Sequence, residues 1–289
     1  MNEEAFARHR SLLFTVAYEM LGSASDAEDV VQETWLRWAG VDHETVRDPR
    51  AYLVRIVTRQ ALNRLRSLAR RREEYVGEWL PEPLLTSPDA AADVELAESL
   101  SIAMLTVLET LSPTERAVFV LREVFETPYD EIAEVVGKSP AAVRQIAHRA
   151  REHVAARRPR TPVSVVEQEE TVERSLAAIR NGDLQGLLDV LAPDVVAVAD
   201  GGGLVTAARR PIQGAEAVAR FLITAARSVN FDAKVVWVNG SPGLQIDVDG
   251  HLDTAVSLSV ENGRITRIYA IRNPHKLAAL GEVAAVTRS

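Results

Sequence analysis

The sequence predicts a multi-domain protein: two all-α domains, then an α+β domain built on a meandering antiparallel sheet. Three observations carry this reading. Apolar residues recur at helical spacing through residues 3–72 and again from Asp93 to Arg157. Between these stretches, residues 73–94 hold Gly77, Pro81, Pro83 and Pro88, which interrupt regular structure. From about Val165 the pattern changes to β-rich alternation, punctuated by Asn239-Gly240, Asp249-Gly250 and Asn262-Gly263, pairs that favour tight hairpins.

In chain order, Phe6, Leu12, Leu13, Val16, Ala17, Met20 and Leu21 form the apolar stripe of a first helix, which Gly22 ends. Ser23 or Ser25 caps the next helix, residues 26–39, whose first turn is acidic, as the macrodipole favours. Pro49 opens a third, with Tyr52, Leu53, Ile56, Val57, Ala61, Leu62 and Leu65 inward. After the Pro-rich stretch a helix resumes near Asp93. Ser112-Pro113-Thr114-Glu115 starts another, with a serine cap and proline at the first helical position. Helices 129–136 and 140–157 follow, split by Gly137-Lys138-Ser139, and Pro159 and Pro162 close the helical half. Helices are then predicted at 167–181, 184–191 and 215–226, and strands at 195–199, 231–238, 244–248, 254–260 and 265–271.

The absence of cysteine rules out disulfides, cysteine–zinc sites and thiolate catalysis. No apolar run is long enough for a bilayer and the N-terminus lacks an apolar signal core, so a cytoplasmic protein without a membrane partner is expected. The net charge of -8 conceals blocks. Residues 47–72 hold nine arginines and a single acid, residues 73–110 hold nine acids and no base, and residues 139–160 hold six arginines against Glu152.

The hairpin around Gly137 has the form of a DNA-reading unit. Ala133, Val136, Val143 and Ile146 are core in any such hairpin. On the other face Ser139 caps the second helix, with Pro140 and Ala142 in its first turn, so backbone amides there can meet phosphate. Arg144 and Gln145 can reach base edges, with His148 beside them, and Arg149 and Arg151 can neutralise phosphates. A solvated basic helix is the plain alternative.

The stretch "SPTERAVFVLREVFETPYDEIAEVVGKS" together with this hairpin resembles domain four of bacterial sigma factors. "SDAEDVVQETWLRW" resembles the domain-two helix that grips RNA polymerase, and "DPRAYLVRIVTRQALNRLRS" resembles the next helix, which recognises and opens the -10 element. On these motifs, in this order, the chain is identified as a member of the extracytoplasmic-function sigma factors. The resemblance implies domain two at residues 1–72, an acidic linker at 73–94 and a -35-reading domain four at 95–160. It implies core RNA polymerase, through its β and β′ subunits, and promoter DNA as partners. Asp26, Glu28, Asp29, Gln32, Glu33 and Trp35 are then the polymerase contacts; one of Trp35 and Trp38 is expected in the domain's own core. Loop 41–49, whose only ring is His43, lies where this family captures a base. Arg55, Arg59, Asn63 and Arg66 share one helix face toward the -10 element, beside the Arg70, Arg71, Arg72 run. Asn63 is equally suited to a base and to a helix-end hydrogen bond.

The order of elements after residue 165 resembles the SnoaL-like cone, with a curved antiparallel sheet, at 165–280, leaving 281–289 as a tail. Such cones enclose an apolar pocket, and enzymes of this fold place an Asp or a Tyr–Asp pair there. Asp200, Asp247, His251, Asp253 and Tyr269 are the titratable candidates, but no pair has a spacing that demands acid–base work, and Asp200 reads as the start of a flexible glycine turn. No catalytic residue, cofactor or metal is expected. Sigma factors with a fused SnoaL-like tail share "WLPEP", "DGGG" followed by lysine, and "NPxKL". Here these are Trp79-Leu80-Pro81-Glu82-Pro83, Asp200-Gly201-Gly202-Gly203 and Asn273-Pro274-His275-Lys276-Leu277, with Leu204 in place of the lysine. The resemblance implies a built-in regulator, an intramolecular partner; the proline-framed Trp79 is then expected to dock on it near DGGG and NPHKL and hold the helical domains compact, with part of the tail aiding polymerase engagement as the alternative. The alternatives are a one-component regulator sensing an unidentified small molecule, and a cyclase or isomerase carrying a localisation domain.

Overall fold

The first three helices, α1 (Asn2–Leu21), α2 (Ala24–Ala39) and α3 (Pro49–Arg72), pack on one another in a computed structural model that describes residues 2–42, 45–72, 75–91, 93–157, 163–278 and 280–288. Ser23 caps α2 by accepting from the Asp26 amide at 3.1 Å. The helix predicted from Asp93 is two short ones, α4 (Val94–Leu100) and α5 (Ile102–Leu108). Ser101 takes an extended backbone between them, and its hydroxyl caps α5 by accepting from the Met104 amide. Ser112 and Glu115 form a reciprocal capping box at the start of α6 (Pro113–Phe119), which runs into a π-helical turn at Val120–Val124. The helix-turn-helix follows as α7 (Tyr129–Val136) and α8 (Pro140–Ala155), with Gly137 left-handed at the turn.

These helices share one continuous apolar core. Leu13, Val16, Val57 and Leu62 from the first three helices join Leu105, Val118, Ile132 and Val143 from the later ones. Residues 75–87 are extended, as a Pro-rich segment should be, yet Leu80, Leu84 and Thr86 are buried.

The C-terminal α+β domain comprises α9 (Val165–Asn181), α10 (Leu184–Val190), β1 (Leu191–Asp200), β2 (Ile212–Gln213), α11 (Ala215–Arg227), β3 (Phe231–Val238), β4 (Ser241–Val248), β5 (His251–Glu261), β6 (Arg264–Ile271) and α12 (Pro274–Leu277). The two-residue β2 and the short α12 were not anticipated as elements. The sheet is curved and unclosed, in the order β2-β1-β6-β5-β4-β3. In one pairing it departs from the antiparallel expectation: β1 and β6 run parallel, so the sheet is mixed. The reason is the α11 crossover, which brings the chain back before the β3–β6 meander, whose last strand lands beside β1 in the same direction. All three Asn/Asp-Gly pairs have positive φ at both positions, as type I′ hairpins require.

Each face of the sheet is covered. Val172 and Leu176 of α9, Leu187 of α10 and Val218 of α11 pack on Leu244, Val256 and Ile268. On the opposite face, Ala255, Tyr269 and Ile271 meet Leu80 of the extended segment, Ile102 of α5 and Leu277 and Leu280 beyond β6. The helical half thus supplies part of the cover for the sheet.

Candidate nucleic-acid interface and interdomain node

Along α8, Arg144, Gln145, His148 and Arg149 are exposed on one face, and Val143, Ile146 and Ala147 are buried on the other. Ser139 accepts from the Ala142 amide at 3.3 Å, with Pro140 next to it in the first turn. Arg144 also lies over the Tyr129 ring, 5.8 Å from its centroid, and His148 lies 3.6 Å from Glu152.

On α3, Asn63 and Arg66 are exposed and Arg55 half-exposed. Arg55 and Arg59 both reach the helix-turn-helix: Arg55 pairs with the Glu134 carboxylate at 3.3 Å, and Arg59 donates to the Glu134 carbonyl at 3.0 Å. A cleft of about 390 Å³ lies between loop and helix here, lined by Val46, Tyr52, Arg55, Leu121, Glu131 and Glu134. His43 and the side chains of Arg70, Arg71 and Arg72 lie outside the described residues.

On α2, Glu28, Asp29, Gln32 and Glu33 are exposed beside Leu36, itself 67% exposed, and Asp26 is half-buried. Several of these acids have neighbours at their base. Arg64 lies 2.9 Å from Asp26 and 2.5 Å from Asp29, Arg10 pairs with Glu28 at 2.6 Å, and Gln60 donates to Glu33 at 2.9 Å. Trp38 is the core tryptophan, and Trp35 is half-buried edge-on against Phe6 at 5.0 Å.

The three short motifs meet around one carboxylate. Asp200 is fully buried rather than solvated in a turn. It accepts from the Tyr75 hydroxyl at 2.6 Å, the Leu80 amide at 2.9 Å, the Gly202 amide at 3.0 Å and the Lys276 ammonium at 2.7 Å. Lys276 also donates to the Leu80 carbonyl and lies over the Trp79 ring, 4.1 Å from its centroid. The flexible-turn expectation fails because donors from two distant stretches of chain, Tyr75 with Leu80 and Lys276, converge on this side chain beside the local Gly202 amide. Gly202 is left-handed, and a Cβ there would meet the Asn273 amide nitrogen at 2.3 Å, so this glycine is needed for both conformation and space. Leu204 is 56% exposed, and the cation of the node is Lys276. With its oxygens engaged by these donors, Asp200 is poorly placed for proton transfer.

From the same segment, Glu82 turns the other way. Its carboxylate accepts from the Ser25 amide and the Ser23 hydroxyl at the start of α2, and its amide donates to the Gly22 carbonyl. Leu80, Pro81 and Pro83 are buried between these two anchorages, and Gly201, Pro274 and Leu277 flank the first. Trp79→Ala is expected to lower stability by about 2 kcal/mol, between an exposed cation–π contact and a fully buried aromatic truncation. Chemical denaturation of the full chain measures it.

A second node involves residues that sequence reasoning passed over. Asn239 is fully buried at the β3–β4 turn. Its amide donates to the Tyr18 hydroxyl on α1 at 2.7 Å and to the Leu100 carbonyl at the end of α4 at 2.8 Å, and its oxygen accepts from the Leu84 amide at 2.8 Å. Tyr18 in turn donates its hydroxyl hydrogen bond to the Glu82 carbonyl at 2.6 Å. One hairpin turn therefore holds both helical domains and the segment between them. The only signal was Asn-Gly, which marks a turn and not its neighbours. Near the C-terminus, Ala284 donates to the Leu85 carbonyl, Thr287 to the Thr15 hydroxyl, and Arg288 pairs with Asp93 and Glu95.

Comparisons with known proteins give the family. The family models for sigma-70 region 2 and sigma-70 region 4 match residues 5–71 and 101–154. Over 295 residues, 96% of this chain and 93% of the other, the sequence is 39% identical to the ECF RNA polymerase sigma factor SigJ of Mycobacterium tuberculosis. The chain belongs to the extracytoplasmic-function sigma factors. The crystal structure of that SigJ superposes on this sigma factor with a TM-score of 0.78 and 34% identity, covering 97% of this chain and 99% of that one. The ferric citrate uptake sigma factor FecI of Escherichia coli is 29% identical over 155 residues, 52% of this chain and 87% of FecI. Region 2 and region 4 imply binding to core RNA polymerase and promoter DNA, and promoter-directed transcription initiation is the function of the family. Among the described residues, no helix is long and apolar enough to cross a membrane, and no cluster of three or more His, Asp or Glu offers a metal site.

Proposed function

We propose that this sigma factor is autoregulated, its SnoaL-like C-terminal domain holding the two sigma domains in a closed form that cannot span a promoter. The observation that carries the reading is the engagement of Arg55 and Arg59, on the -10 face of α3, with Glu134 of the helix-turn-helix. A carboxylate and a carbonyl there occupy cations suited to phosphate. The Asp200 and Asn239 nodes support the same form from the other side, since both join the C-terminal domain to the helical half. Tethering keeps such contacts strong, because the partner is always present at high effective concentration.

In the open form, α2 would meet the polymerase clamp through Asp26, Glu28, Asp29, Gln32, Glu33 and Trp35. Arg55, Arg59, Asn63 and Arg66 would face the -10 element. Ser139, Pro140, Ala142, Arg144, Gln145, His148 and Arg149 would face the -35 element. The WLPEP, DGGG and NPHKL residues are the regulatory contact, with domains divided as the motifs suggest. Reconstituted run-off transcription with core RNA polymerase tests this. A chain ending at Arg157, shown to be folded by circular dichroism, should bind core enzyme and give more transcript than the full chain. Equal core binding with equal transcript would refute autoregulation. Glu134→Ala should change stability by less than about 1 kcal/mol, since the pair is exposed, yet raise non-specific DNA binding at low salt. Filter binding across a salt series reads that effect.

A further inference from the structure

The contact between the two sigma domains buries a carboxyl group that, among the described residues, forms no ion pair. Glu19, on α1, is fully buried. Its Oε1 lies 2.7 Å from the Ser99 hydroxyl of α4, and its Oε2 has no hydrogen-bond partner. The Ser99 hydroxyl also lies 2.9 Å from the Leu96 carbonyl, which can only accept. A hydroxyl has one proton to give. Ser99 therefore shares its single proton between the Glu19 carboxyl and the Leu96 carbonyl, and gives the carboxyl at most part of one hydrogen bond.

The charges around Glu19 are engaged elsewhere. Arg116 of α6 donates to the Glu19 backbone carbonyl at 3.0 Å and pairs with the Glu109 carboxylate, and its Nη2 is left without an acceptor. Arg288 is held by Asp93 and Glu95. On the extended segment, the Glu82 carboxylate is bound to Ser23 and Ser25, and its carbonyl accepts from the Tyr18 hydroxyl. In the π turn, Arg122 donates to the Thr127 carbonyl and Glu123 lies 3.8 Å from Arg151. On α3, Arg64 is taken by Asp26 and Asp29.

We infer that Glu19 is a proton-operated latch between the sigma domains, neutral while they are closed and ionised when they part. Burial pushes its carboxyl up to about 8, outweighing the Ser99 hydrogen bond and the fields of Arg116 and Arg288. The inference rests on the closed form proposed above. Once the domains separate, Glu19 meets water and returns to the ordinary value of 4.5. The closed form therefore binds a proton that the open form releases between pH 4.5 and about 8. Acid favours closure. As pH rises through this window the opening constant grows, by up to about tenfold per unit, and above the window it levels off.

The chain has no cysteine, so Arg37→Cys on α2 and Glu152→Cys on α8, both exposed, place a fluorescent donor and acceptor on the two sigma domains of the full chain. In the otherwise unaltered protein the separation should lengthen from about pH 6 to about pH 8, whereas Glu19→Gln should stay closed throughout. A Glu19→Gln protein that titrates like its parent overturns the latch. Infrared spectroscopy of the unmodified protein gives a second readout that needs no folded variant. The carbonyl stretch of a protonated carboxyl should be present near neutral pH, and its absence overturns the latch. A separation that is long at every pH and indifferent to Asn239→Ala overturns the closed form itself, and the latch with it.

Discussion

Asn239→Ala is expected to part the two sigma domains while leaving each folded. The substitution removes two donors and one acceptor from a fully buried site, leaving the Leu100 carbonyl and the Leu84 amide without that side chain and depriving the Tyr18 hydroxyl of its donor. At roughly 1–3 kcal/mol for each buried group left unsatisfied, the closed form should lose about 3 kcal/mol or more, at least a hundredfold in its population ratio. Asn239 also sits at φ 53°, a left-handed conformation that alanine adopts less readily than asparagine. Asn239→Gly separates the two effects, because glycine accepts that backbone but brings no amide. If the closed form depends on the side chain, both variants should show an increased radius of gyration in solution scattering and faster amide exchange in residues 75–87. Should the alanine variant scatter and exchange like the parent, the turn does not hold the domains.

The second large effect is expected at Asp200. Asp200→Ala takes from the Lys276 ammonium, 7% exposed, its carboxylate partner, while the Leu80 carbonyl and the faces of Tyr75 and Trp79 remain beside it. Breaking one side of a buried ion pair costs roughly 3–5 kcal/mol, mostly because the remaining charge is stranded. The Tyr75 hydroxyl and the Leu80 amide lose their acceptor as well. The midpoint of urea unfolding should fall accordingly, and protease should gain access to the segment around Trp79. Adding Lys276→Met removes the stranded charge, so the double variant should recover part of the loss. A double variant no better than Asp200→Ala would show that the cost lies in the lost hydrogen bonds instead.

Local signals were legible in the sequence and long-range ones were not. Ser112 and Ser139 are legible as caps, and the α2 cap is narrowed to Ser23 or Ser25, because a cap depends on residues three positions away. The three hairpins were read because type I′ geometry selects its own residues. The parallel pairing of β1 with β6 was missed, since it depends on where a whole meander lands and no dipeptide encodes that. The break at Ser101 was missed because a serine inside an apolar-periodic stretch reads equally as a solvent-facing helical residue. At the nodes the split is the same. Motif resemblance singled out Trp79, Asp200 and Lys276, but Tyr75, which donates to Asp200, and Asn239, which joins three parts of the chain, carry no mark beyond their types. Glu19 carries no mark in the sequence either, and its burial depends on α4 and α6, which bring Ser99 and Arg116 against it.

Every C-terminal contribution to the two nodes, from Asp200 to Lys276, is translated after the helix-turn-helix has been made. At ribosomal rates of roughly 5–20 residues per second, the helical half is outside the exit tunnel for on the order of ten seconds before those residues emerge. Under the closed form proposed above, a nascent chain would pass through an unrestrained interval that the finished molecule no longer visits freely. Pausing of the ribosome within the β-strands would prolong it, and synonymous codon choice there would then be a physical variable in how long each new copy stays unrestrained.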